Sequence, residues 1–155
     1  RGLGDVYKRQ GMTMRYVKHA ALMLALMTGP VLAETHDVKM YNRSENGAMI
    51  YEPSYLRIAP GDTVRFLSTQ PGHNAATIDG MIPAGADAFK SRINEDFAVT
   101  LSVPGSYGIK CSPHYAMGMV MLIDVGEPAE ADLPPDLPKR ASERFRQILD
   151  ARPDD

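Results

Sequence analysis

The sequence predicts an all-β fold, a sandwich or barrel with Greek-key connections, closed by a C-terminal helix. Three observations carry that expectation. Across residues 34–126, short segments alternate polar and apolar residues, which is the period of half-buried strands. Turn signals separate them: Asn46-Gly47, Pro60-Gly61-Asp62, Pro71-Gly72 and Pro104-Gly105-Ser106. Past Gly126 the apolar spacing changes from two to that of an amphipathic helix.

In chain order, residues 1–11 contain Asp5-Val6-Tyr7-Lys8-Arg9-Gln10 and read as a non-native leader, the translation of a sequencing-library adapter. Residues 12–33 read as a secretory signal peptide starting at Met12 or Met14. A basic Met14-Arg15-Tyr16-Val17-Lys18-His19 precedes an apolar run over 20–27, too short to span a bilayer. Thr28-Gly29-Pro30 breaks that run, and Val31-Leu32-Ala33 offers small residues for cleavage before Glu34. Strands are expected at 36–41, 48–51, 55–58, 62–67, 97–102, 107–111 and 119–125. Residues 80–95 are too long for a hairpin turn and should carry one helical turn or irregular structure. Residues 34–126 form the β domain, and 127–155 a helical extension of it. In that extension "EPAEADLPPDLP" leads into "KRASERFRQILDA". There Ala141, Phe145, Ile148 and Leu149 fall on one helical face, which should dock against the sandwich, with a short helix before it.

Residues 34–155 carry 12 Lys/Arg against 18 Asp/Glu, a formal charge of −6. That balance is no nucleic-acid footprint. Nor does it predict membrane insertion once the signal is removed.

Cys111 is the only cysteine of the chain. An exported protein with one thiol cannot form an internal disulfide, which leaves a buried inert thiol, a nucleophile or a metal ligand. Its neighbours favour the ligand. Cys111, His114 and Met119 are spaced Cys-x-x-His-x-x-x-x-Met between two strand ends. Structural zinc normally takes four N/S donors and more than one cysteine. Copper suits this set better: thiolate favours the reduced ion, imidazole accepts both states, and a distant thioether adds a weak axial contact. A second histidine must come from elsewhere. His73, in Pro71-Gly72-His73-Asn74, is the candidate; His36, at the start of the first strand, reads as an exposed surface residue. Asn74 is placed to tie the two ligand loops together.

At these residues the chain resembles the pseudoazurins, small periplasmic blue-copper proteins of the cupredoxin superfamily. "CSPHYAMGM", "GHN", "GAMIYEP", "PGDTV", "MIPAGA" and "FKSRINE" carry the resemblance, which runs over essentially all of residues 34–155. It implies a cupredoxin-like eight-stranded Greek-key β-sandwich followed by two C-terminal α-helices. It implies one type 1 copper ion held by His73, Cys111, His114 and Met119, and Asn74 as the bridge between the ligand loops. Met49, Pro113 and Met117 match the apolar surface around the second histidine, the expected electron gateway. The implied function is a monomeric, non-enzymatic periplasmic electron carrier, accepting from a c-type cytochrome and donating to a copper nitrite reductase or similar respiratory enzyme. Pseudoazurins ring the gateway with lysines. Here Gln70, Gly80 and Ala88 thin that ring, leaving Lys39, Arg43, Lys90, Arg92 and Lys110 as a candidate basic rim.

Two other classes use the same residues differently. Copper storage would favour exposed, exchangeable methionines, yet four of the ten methionines lie in the signal segment 12–33 and most of the rest in strands or at the site. A thiol enzyme would pair Cys111 with His114 as base, but lacks an orienting group beyond Asn74.

Overall fold

The computed structural model describes residues 32–128 and 131–153. The leader and most of the signal segment lie outside the described residues. Two four-stranded sheets stack face to face. Eight strands build them: β1 (Thr35–Ser44), β2 (Gly47–Glu52), β3 (Tyr55–Ile58), β4 (Asp62–Leu67), β5 (Ala76–Thr77), β6 (Phe97–Leu101), β7 (Gly105–Lys110) and β8 (Val120–Val125). One sheet runs β2-β1-β4-β6, the other β3-β8-β7-β5. The chain changes sheets after β2, β3, β4, β5 and β6, so β1 pairs parallel with β4 and β3 parallel with β8. The strand positions expected from alternation match the observed ones within a few residues. β5 escaped because two residues show no period. Residues 80–95 are irregular, apart from a bridge between Ala76 and Lys90.

The inner faces enclose a core of Val38, Met40, Tyr51, Val64, Phe66, Tyr107, Ile109, Met121 and Ile123, all at most 1% exposed. β8 has no solvent face. Met121, Ile123 and Val125 point into this core, while Val120 and Leu122 join a second cluster with Ile78, Met81, Ala141, Phe145 and Ile148. Burial on both sides explains the unbroken apolar run Val120-Met121-Leu122-Ile123.

The second cluster sits under the helix α1 (Lys139–Asp150), which buries Ala141, Phe145 and Ile148. The two C-terminal helices implied by the resemblance reduce to one among the described residues. Pro134, Pro135 and Pro138 crowd residues 133–138, and each lacks the amide a helix interior requires. No described helix is long and apolar enough to cross a membrane.

Candidate metal centre

The segment from Cys111 to Met119 folds back on itself because both its ends are held by adjacent strands, β7 and β8. Cys111 N donates to Met119 O at 3.0 Å, His114 N to Cys111 O at 3.1 Å, and Met119 N to His114 O at 3.2 Å. Between them runs a kinked 3-10 segment, Ser112–Met117, with Pro113 in its first turn, where a missing amide costs nothing. Gly118 closes it at φ +85°, a left-handed conformation that favours glycine. Cys111 and Met119 are fully buried, and His114 keeps part of its surface exposed.

His73 arrives from the connection between β4 and β5, and several contacts hold that loop. Gln70 Oε1 accepts from Asn42 N at 2.6 Å and Arg43 N at 3.2 Å, tying the loop to the end of β1. Asn94 Oδ1 accepts from Gly72 N at 2.6 Å, and Asn94 N donates to His73 O at 3.0 Å. Asn74 spans the two loops. Its Oδ1 accepts from Ser112 N at 2.7 Å, and its Nδ2 donates to Ser91 O at 3.1 Å and Ser112 Oγ at 3.3 Å.

These supports bring three donor atoms face to face. His73 Nδ1 and His114 Nδ1 lie 3.1 Å apart, with Cys111 Sγ 3.7 Å from the first and 3.5 Å from the second. A triangle with those sides has its circumcentre about 2.0 Å from every corner, close to the ~2.0–2.3 Å of metal–imidazole and metal–thiolate bonds. Met119 lies beside the three. The residues present therefore fit a metal ion. Two imidazole nitrogens and one sulfur converge there, a set of lone-pair donors that suits a copper-like cation.

The electrostatics agree. Burial, then the neighbouring His114, pushes the His73 imidazole below its ordinary range and keeps its lone pair free. Burial pushes the Cys111 thiol up, opposed by backbone hydrogen bonds from Asn74 and His114. A bound cation would favour the thiolate at such a site.

His36 differs from its expected role as an exposed surface residue. It is partly buried, and its Nε2 meets Asp62 Oδ2 at 2.9 Å, because β1 lies parallel beside β4. Met117 is 44% exposed and Pro113 is also exposed, whereas Met49 is partly buried at φ +48°. Met40, Met81, Met119 and Met121 are buried, which removes the exposed methionine cluster that copper storage would call for. Of the candidate basic rim, Lys90 and Lys110 share a surface depression with Asp79, Ser112 and Tyr115. The Lys110 ammonium lies 4.9 Å over the Tyr115 ring. Lys39 and Arg43 are exposed on β1, and Arg92 is exposed in the irregular segment.

Sequence reasoning missed Ser91, Asn94 and Ser112 as supports. Only Ser112 left a local signal, a hydroxyl next to Cys111; the others come from distant segments.

Residues 38–126 match the family model of copper binding proteins, plastocyanin/azurin family. The pseudoazurin of Paracoccus pantotrophus is 44% identical over 129 residues, covering 81% of this chain and 89% of the relative. The chain belongs to the pseudoazurin family. Two solved pseudoazurins share the fold. One from Sinorhizobium has TM-score 0.72 at 42% identity, covering 75% of this chain and 94% of the other. One from Methylobacterium extorquens has TM-score 0.64 at 40% identity, covering 74% and 98%. As a pseudoazurin, the chain is a copper-binding cupredoxin and an electron carrier.

Proposed function

We propose that this chain carries single electrons in the periplasm, with His73, Cys111, His114 and Met119 as the residues that would hold one copper ion. The donor triangle of two imidazole nitrogens and one sulfur is the observation that supports this most. Bound there, copper supplies a one-electron couple between Cu(I) and Cu(II). The chain does the rest. His73, Cys111 and Met119 are sealed from water, so solvent cannot enter from their side. Asn74 holds the two ligand loops at a set distance, which keeps the donors in place as the charge changes. His114 offers an edge to the surface beside Pro113 and Met117, and with Met49 this forms the apolar patch where a redox partner would touch. Small apolar contacts of this kind suit brief encounters.

The acceptor is a copper nitrite reductase or similar respiratory enzyme and the donor a c-type cytochrome, partners that the resemblance implies. Lys90 and Lys110 beside the ligand segment supply local positive charge on a chain of net negative charge. Export follows from residues 12–33 acting as a signal cleaved after Ala33, the carrier then working as a monomer. Residues 1–11 are not native.

Adding Cu(II) should produce an intense thiolate-to-copper band in the visible and a narrow EPR hyperfine splitting. Cys111→Ser should abolish both. A folded wild-type chain without the band, or a band that survives Cys111→Ser, overturns the ligand assignment. Failure of the reduced protein to be oxidised by a copper nitrite reductase would overturn the acceptor.

A further inference from the structure

Tyr51 sits on β2, in the sheet opposite the strand that delivers Cys111. It is fully buried, with its ring edge-on to Phe66 at 6.0 Å, and a buried phenol needs a partner for its hydroxyl. That partner is a ligand loop. The hydroxyl donates to the backbone oxygen of Asn74 at 2.6 Å. Asn74 is 1% exposed, so without this donor its carbonyl would be buried and unpaired.

The position of the bond matters more than its strength. Asn74 follows His73 directly, and its side chain bonds Ser112, which follows Cys111 directly. One hydroxyl on one sheet therefore braces the residue that links both ligand loops, with its far end anchored in the aromatic core. The geometry points to Tyr51 as a positioning residue for the metal site, acting through Asn74 to hold His73 and Cys111 at their separation. This rests on the ligand assignment above and adds a residue that touches none of the donors through its hydroxyl.

Tyr107 provides the control. It is also buried, at 1% exposure, and its hydroxyl donates to a backbone oxygen, Val103 at 2.8 Å, away from the ligand loops. Tyr51→Phe and Tyr107→Phe each delete one buried hydroxyl and keep the ring. Two readouts separate positioning from stability. The first is amide hydrogen exchange on the full chain, with and without copper, at Ser112, Asn94 and the core strand residue Val64. Tyr51→Phe should accelerate Ser112 and Asn94 about tenfold more than Val64, while Tyr107→Phe should leave the three in proportion. The second is the Cu(II) spectrum: Tyr51→Phe should change its band ratio and hyperfine splitting, and Tyr107→Phe should not. Proportional acceleration in Tyr51→Phe, or an equal spectral change in both variants, overturns the role. If the wild-type chain shows no thiolate band, the copper assignment fails, and exchange in the metal-free chain still decides whether Tyr51 braces the loops.

Discussion

Gly118 shows how much depends on single atoms at this site. A Cβ there would lie 2.9 Å from the backbone oxygen of Arg140, on α1, and the residue already sits at φ +85°. Neither the helix backbone nor the strained torsion can yield cheaply. Gly118→Ala should therefore cost about 2–4 kcal/mol, the torsion and the clash together, measured by urea unfolding of the metal-free chain. The same substitution should loosen the segment between His114 and Met119, because Met119 N bonds His114 O across it. Cys111, by contrast, is constrained chemically. Its buried thiol is pushed up in pKa by its surroundings and gains a role only from a cation at the convergence of the two imidazoles.

At the scale of elements, the parallel pairing of β1 with β4 creates a polar knot that alternation alone does not announce. Asp62 opens β4 and is almost fully buried, yet it accepts from Glu34 N at 2.9 Å, His36 Nε2 at 2.9 Å and Ala59 N at 3.0 Å. These bonds, the one from Glu34 first, then His36, hold its carboxyl below the usual carboxylate range despite its burial. A carboxylate whose folded pKa is depressed contributes stability that is complete above its unfolded pKa and is lost as pH falls through the folded one. Asp62→Asn should thus destabilise the chain at pH 7. The gap from wild type should narrow below about pH 4 and close as the wild-type carboxyl protonates, when urea midpoints are compared across pH. A gap that stays constant through that window would rule out the carboxylate as its source.

For the whole molecule, β8 is the shared wall between two apolar clusters. Phe145 is fully buried against its outer face, so Phe145→Ala should cost about 3–5 kcal/mol in denaturant unfolding. The helix is also fastened at its end. Arg152 Nη1 reaches the fully buried Asp124 on β8 at 3.3 Å, where Tyr55 donates at 2.9 Å and Ser106 also bonds. Since α1 also packs on the 3-10 segment that carries His114, the C-terminal extension supports the metal loop as well as the sheet.

The residues that matter were legible wherever a short stretch carries its own signal. Strand periods, turn dipeptides, the amphipathic face of α1 and the donor set of Cys111, His114 and Met119 are properties of neighbours in sequence, so local chemistry reveals them. The proline-rich run before α1 carried a local warning as well, and it weighs against the second helix that the resemblance implied. What the sequence by itself determined is therefore the sandwich, the thiolate–imidazole chemistry and the family. Only the tertiary structure decided that His73 and Cys111, 38 positions apart, bring their donors within 3.7 Å. It alone paired His36 with Asp62 and set Tyr51 under Asn74. Such contacts depend on strand register and on the stacking of two sheets, which join residues that share no local pattern.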